Sequence, residues 1–293
     1  MKSISSRHNA LYKRVRDAVR EHGEEIVVEG PKAVADAIRA GWSAVILSVS
    51  EGSVWSGGAL DELLRAAHPH RSFAPAQDDI VAFSDALFND VSDTKTSQGI
   101  LALFERPRAT LDQLFARDDS IVVALDGVQD PGNVGTIVRL AAAFDAAGVA
   151  ILPGSADPFS PKAIRASAGA ILNVPCATAS RQELLARGWP LFAADARGEA
   201  IDPPPRGAIL AFGSEGSGVS EEIARAARKI AIPTSARVES LNVAASAAIL
   251  LSRSYALRAP SPGPSGHPLP LSRERATKSP FSRLREKVPR SGG

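Results

Sequence analysis

The sequence predicts an α/β fold whose second half is a parallel sheet, and three observations carry that reading. Short apolar runs alternate with segments of helical periodicity along residues 9–257, the order expected when helices cover a parallel sheet. The run SIVVALDGV (120–128) is apolar without alternation, as a strand buried on both faces is. Three loops rich in Gly, Asn or Ser each follow a predicted strand end, where such sheets bind their ligands.

In the first part of the chain, residues 9–21 read as a helix, with Leu11, Val15 and Val19 at four-residue spacing. EEIVVEG (24–30) is a strand stopping at Gly30. PKAVADAIRAG (31–41) opens on Pro and closes on Gly, as helices favour. SAVILSVS (43–50) is a buried strand and LDELLRAA (60–67) a helix. DIVAFSDALFND (79–90) joins a strand to a short helix, and GILALFE (99–105) is the closing strand. Residues 1–105 thus form a small α/β domain, and 106–118, with Pro107 and a mixed-charge helix, read as a linker.

The second domain spans 119–258. Its strands are 120–128, VAILPG (149–154), LFAAD (191–195), AILAFG (208–213) and KIAIP (229–233). Helices are expected over 134–147, 160–170, 219–227 and 241–257. From 259 the chain turns rich in Pro, Ser, Gly and dispersed charge, a composition that buries little and reads as a disordered basic tail, 259–293.

Hydrophobic residues make up 44% of the chain and charged ones 23%, fitting a soluble globular protein. A single cysteine, Cys176, excludes an intramolecular disulfide framework and suits a reducing cytosol. No leader pattern opens the chain, and no apolar run approaches the ~20 residues of a membrane span. A cytoplasmic protein is expected. The net charge of +2 hides an asymmetry: the tail holds seven Lys/Arg against two acids, leaving −3 on residues 1–258. Bulk charge therefore does not announce a nucleic-acid binder. Positive charge is local, in Lys13, Arg14, Arg16 and their neighbours on the first helix, which face either phosphates or solvent. His68 and His70 flank a proline without other metal ligands nearby, so no metal site is expected.

Three stretches carry candidate chemistry. In LDGVQDPGNVGTIVR (125–139), Asn133 sits where a helix N-cap is expected, and Gly135 reads as a packing glycine. Arg139 lies among Ala141, Ala142 and Ala143, whose small side chains predict a close approach that partly buries the guanidinium. A buried Arg needs a carboxylate or phosphate. GSEGSG (213–218) has neither the spacing of a dinucleotide fold nor that of a phosphate loop. It is either a flexible turn or a ligand loop, and Glu215 favours the second, placed to pair with Arg139 or to accept a hydrogen bond from a hydroxyl. In IPTSARVESLNVAAS (232–246), Glu239, Ser240 and Asn242 stand at the start of an apolar helix, with Ser240 a plausible cap.

In this order, the three stretches resemble the motifs of the SpoU-type (TrmH) RNA ribose 2′-O-methyltransferases of the SPOUT superfamily, over residues 1–257 and most strongly over 122–257. The resemblance implies an S-adenosylmethionine pocket, no metal, a C-terminal deep trefoil knot and a homodimer in which the knot regions pair and complete the site. It assigns catalysis to Asn133, Arg139, Glu215, Ser240 and Asn242, and cofactor contact to Gly213, Glu215, Gly216, Ile232 and Leu241. Asn9, Lys13, the strand ending Glu29-Gly30, and DTKTSQGI (93–100) resemble the substrate-binding domain, similar to ribosomal protein L30e, of the rRNA-directed members. Asn9, Lys13, Arg14 and Arg16 are the RNA-binding candidates. The chain departs from the usual third motif at Thr234 and Ser235, commonly Met and Gly, and at Ala245-Ser246.

The expected reaction is methyl transfer from S-adenosylmethionine to a ribose 2′-hydroxyl, with 23S rRNA or a ribosomal assembly intermediate as substrate and no membrane partner. A tRNA 2′-O-methyltransferase and a non-catalytic RNA-binding module are the rivals, and a nucleotide-dependent oxidoreductase is disfavoured by the glycine spacing.

Overall fold

The computed structural model describes residues 1–21, 23–56, 59–67, 80–92, 94, 96–204, 206–235 and 237–258. The readings made for His68, His70, Asp93, Lys95 and the tail 259–293 lie outside the described residues.

Two sheets follow one another in the chain. The first holds β1 (Lys2–Ile4), β2 (Glu25–Glu29), β3 (Ala44–Ser50), β4 (Ile80–Phe83) and β5 (Ile100–Glu105) in the order β1-β4-β3-β5-β2. β1, β4 and β3 are parallel, while β5 runs antiparallel to β3 and β2. Around it lie α1 (Ala10–Glu21), α2 (Pro31–Arg39), α3 (Ala59–Ala67) and α4 (Asp85–Val91). Tyr12 and Val15 of α1 are fully buried, and the Tyr12 ring meets Phe83 edge-on at 5.7 Å. Burial, aided by its hydrogen bond to Asp90, pushes the Tyr12 hydroxyl above its ordinary pKa.

The segment 106–118 is packed chain. It carries α5 (Leu111–Leu114), opened by a capping box between Thr110 and Gln113. Leu111 and Leu114 join the apolar cluster of the second sheet. Arg106 donates to both oxygens of Asp157 at 2.8 and 2.7 Å and lies 5.0 Å from the Phe159 ring centre. Phe159 in turn packs on Trp42, 6.0 Å away. This clasp ties the two sheets within a compact unit, Met1–Arg258.

The second sheet is parallel throughout, in the order β11-β9-β10-β6-β7-β8. Its strands are β6 (Ile121–Asp126), β7 (Gly148–Leu152), β8 (Cys176–Thr178), β9 (Leu191–Glu199), β10 (Ala208–Gly213) and β11 (Arg228–Ile230). Every residue of β6, β7 and β10 is buried, which is why these strands read as unbroken apolar runs. The helices are α6 (Pro131–Ala143), α7 (Pro161–Ala166), α8 (Arg181–Leu185), α9 (Glu221–Ala226) and α10 (Val243–Arg258). Gly135 is the packing glycine of α6: a Cβ there would stand 2.2 Å from the Ala163 carbonyl oxygen. No described helix is long and apolar enough to cross a membrane.

Two caps differ from expectation. α6 starts at Pro131 with Asp130 as its cap, the carboxylate accepting the Asn133 N–H at 2.9 Å. Asn133 therefore sits inside the first turn, because Pro occupies the opening position and Asp precedes it. α10 is capped by Asn242, whose Oδ1 accepts from Ala244 and Ala245 at 2.9 and 3.3 Å, and Ser240 lies outside the helix.

Arg106→Ala leaves the partly buried Asp157 without its fork and removes the cover on Phe159. It is expected to lower stability by about 1–3 kcal/mol, read as a lower urea midpoint at unchanged m-value.

Candidate functional site

Because the strands of the second sheet are parallel, their carboxyl ends open on one edge, and the second half of β9 with the loops after β10 and β11 walls a pocket of ≈ 510 Å³. Gly213, Glu215, Gly216, Ile232, Ser240 and Leu241 all line it. The five residues expected to hold a cofactor thus share one cavity.

The loop after β10 is a tight return. Ser214 and Gly218 exchange backbone hydrogen bonds at 3.0 and 2.9 Å, and the Ser217 N–H donates to Ser214 Oγ at 3.2 Å. Gly218 holds φ at 71°, the left-handed region. The returning chain passes so close to Gly213 that a Cβ would lie 1.9 Å from the Gly218 carbonyl carbon. No side chain fits there without rebuilding the loop. At the tip, a Cβ on Gly216 would meet nothing within 4 Å, so its backbone faces open space.

Glu215 is exposed beside this tip and is the meeting point of the three motifs. Asn133 Nδ2 donates to Glu215 Oε1. Asn242 Nδ2 lies 3.4 Å from the same oxygen and 3.3 Å from Asn133 Oδ1. Asn242 uses its carbonyl to cap α10 and its amide to reach Glu215, a division that a carboxylate at 242 lacks.

Arg139 does not join them. It is exposed on α6 and forms no hydrogen bond or ion pair with a described residue. The expected burial fails because Ala142 and Ala143, which flank it, face solvent, while Ala141 alone of the three turns inward. The expected Arg139–Glu215 pair is replaced by the two asparagine amides.

Sequence reasoning missed several pocket residues. Asp195, Arg197 and Lys229 line the cavity. Asp195 accepts the Arg197 backbone N–H at 2.9 Å and lies 3.0 Å from Lys229 Nζ. The backbone donor first, and Lys229 second, hold its carboxyl below the usual range despite partial burial. Its place at the end of the predicted strand 191–195 was the available signal.

The RNA candidates divide. Asn9 caps α1, accepting from Leu11 at 2.9 Å. Arg14 grips Glu25 through Nε at 2.9 Å and through Nη2, and Arg16 grips the adjacent Asp17 at 3.0 and 2.7 Å. Lys13 is exposed with no ion pair to a described residue. Among the described residues, no group of three or more His, Cys, Asp or Glu is placed to hold a metal.

Known proteins share the sequence pattern and the fold. Residues 120–252 match the SpoU rRNA Methylase family, and residues 9–102 match the MRM3-like substrate binding domain. The 23S rRNA (guanosine(2553)-2'-O)-methyltransferase RlmP of Bacillus subtilis is 32% identical over 176 residues, 57% of this chain and 69% of that protein. The chain belongs to the SpoU methylase family. A Syntrophobacter fumaroxidans relative named Ribosomal RNA small subunit methyltransferase G 2 is 31% identical over 274 residues, covering 90% of this chain. The chain spans about half of that relative's length, 51%. The crystal structure of an AdoMet-bound rRNA methyltransferase from Sinorhizobium meliloti superposes with a TM-score of 0.74 at 25% identity, over 86% of this chain and 97% of that one. Against the usual third motif of the SpoU family, Thr234 and Ser246 both fall on the pocket wall.

Asp130 links the site to pH. Lys162, 2.6 Å away, and the Asn133 N–H hold its carboxyl below the ordinary value. A depressed folded pKa means its contribution is full above the unfolded value, near ~4, and is lost as pH falls through the lower folded value. Asp130→Ala is expected to cost about 0.5–2 kcal/mol at pH 7. Urea midpoints of the two proteins should converge as the pH is lowered below ~4.

Proposed function

We propose that this SpoU-family methyltransferase uses S-adenosylmethionine to methylate a ribose 2′-hydroxyl of 23S rRNA. The observation that carries the reading is the convergence of Asn133, Glu215 and Asn242, from three separate stretches, at the mouth of the pocket lined by Gly213, Gly216, Ile232 and Leu241. The residues fit the cofactor. The cavity has the size of small-molecule sites, Gly216 offers bare backbone, and beside the Asp195–Lys229 pair the Glu215 and Glu239 carboxylates line the wall where a sulfonium cation could be met.

When bound, S-adenosylmethionine supplies a methyl group already activated for attack by oxygen. The protein's task is then orientation and removal of one proton. Asn133 and Asn242 fix the Glu215 carboxylate, which accepts a hydrogen bond from the ribose and passes the proton to water. Ser240 lies on the same wall. A guanidinium is a donor without an acceptor, so Arg139 serves as a cation that holds a phosphate and stabilises the developing alkoxide, not as a base. In a single chain it stands in solvent. A homodimer that closes over α6, where Ala142 and Ala143 leave room, brings it to a site and belongs to the same proposal, as does the knotted C-terminal segment.

The match of residues 9–102 to a substrate binding domain and the name of the Bacillus relative favour rRNA over tRNA. An rRNA substrate favours a cytoplasmic enzyme.

Labelled methyl should pass from S-adenosylmethionine to one ribose of unmodified rRNA. Arg139→Ala should reduce kcat by about 10²–10³-fold, the range for loss of an oriented charge donor, and Arg139→Lys should recover only part of it because the planar fork is gone. Full activity of the lysine variant would remove the orienting role. Transfer to tRNA alone would move the substrate to that class, and no cofactor binding would leave an RNA-binding module.

rRNA affinity should fall with salt. Since Arg14 and Arg16 are engaged by carboxylates, Lys13→Ala should lower the slope of log K against log salt by about 0.7–0.9. An unchanged slope excludes Lys13 from phosphate contact.

A further inference from the structure

Asp126 is the one buried charged residue among the described residues, with a side chain 0% exposed. It ends β6 and lines no part of the cofactor pocket. Its carboxylate is nonetheless fully engaged. Oδ1 accepts from Arg181 Nε at 2.8 Å and lies 2.7 Å from Arg181 Nη2, while Oδ2 accepts the Ser220 N–H at 2.7 Å. Arg181 Nη2 also donates to the Pro153 carbonyl at 2.9 Å. One carboxylate thereby joins the ends of β6 and β7, the first residue of α8 and the cap of α9.

The position of these bonds matters more than their number. Asp126 is the register partner of Gly213 in the β6–β10 pair. The loop carrying Glu215 leaves the sheet beside Asp126 and returns at Ser220, which Asp126 holds by its N–H. Both feet of the loop therefore rest on the same residue. A desolvated ion pair contributes little net stability compared with apolar packing, but removing one partner leaves an uncompensated charge. What the pair supplies is a fixed geometry. An ångström of drift in a site of this kind costs about 10²-fold in rate.

We propose that Asp126 and Arg181 are positioning residues, which set the loop 213–220 so that Glu215 and the Gly216 backbone face the cofactor and the ribose. The inference rests on the reading of the pocket as an S-adenosylmethionine site, but it also makes a claim about the loop without any ligand. Arg181→Lys keeps the positive charge and loses the fork that spans Asp126 and Pro153. Asp126→Asn keeps the shape and loses the charge.

The test is amide hydrogen exchange on the ligand-free protein, followed by calorimetric S-adenosylmethionine binding and rRNA methylation kinetics on the same variants. In Arg181→Lys the Ser214, Ser217 and Gly218 amides should exchange about tenfold faster, with β10 amides unchanged. The Kd for S-adenosylmethionine should rise about tenfold and kcat should fall, with KM for rRNA unchanged. Asp126→Asn should show the same pattern more strongly. Should Asp126→Asn fail to fold, Arg181→Lys decides alone. Equal acceleration of loop and β10 amides would mean a general loss of stability and overturn the proposal, as would unchanged loop exchange. Faster loop exchange with an unchanged Kd would overturn the link to the cofactor. A wild-type protein that binds no S-adenosylmethionine would overturn the functional reading, and with it this proposal, even where the loop responds.

Discussion

The side-by-side parallel pairing of β6 and β10 is the constraint on which the rest of the site depends. Parallel strands need long crossovers, so residues 126 and 213 are far apart in sequence yet register partners at one edge of the sheet. Everything that leaves the sheet there must share a narrow space. The chain after β10 returns so tightly that Gly213 has no room for a Cβ. The chain after β6 turns directly into α6 through Asp130 and Pro131. Glu215 and Asn133 meet because both loops are short and both start from adjacent strand ends.

Helix capping then decides which polar groups remain for chemistry. Asp130 satisfies the Asn133 N–H, so the Asn133 side chain is not needed as a cap and its amide turns to Glu215. At the other motif Asn242 does both tasks, since an amide side chain has an acceptor for the helix and a donor for the carboxylate. Capping and function are coupled at each helix start: a change that moves a cap also moves a group that holds Glu215.

Much of this was legible in the sequence. Runs such as 121–126 and 208–213 showed their burial because both sheet faces are covered. β1 and β8, three residues each, and α8, five residues, are too short to show a period, and they were missed. That Gly213, Glu215, Gly216, Ile232 and Leu241 share one pocket was legible only through the family resemblance, since glycine spacing alone left GSEGSG ambiguous. Asp126 was seen only as part of a turn. Its burial depends on Arg181, 55 positions away, and no local pattern announces such a pair. The error at Arg139 had a different origin. Three consecutive alanines suggest one packing face, but consecutive helix positions point in different directions, and Ala141 is buried while Ala142 and Ala143 are not.

The charge distribution limits how such a protein can recognise RNA. Residues 1–258 carry a net −3, and two of the first helix's basic side chains are neutralised by Glu25 and Asp17. Within residues 1–258 non-specific phosphate attraction is therefore weak, and under the proposed rRNA reading their share of the affinity comes from fitted contacts made by few cations. RNA recognised in this way is read through shape and unpaired nucleotides more than through backbone charge. Rigid spacing between the substrate-binding sheet and the methyl-transfer pocket then becomes part of specificity. The Arg106–Asp157 fork and the Trp42–Phe159 contact hold that spacing. A protein that relied on a dense positive surface would tolerate play at this joint; one that relies on fit does not.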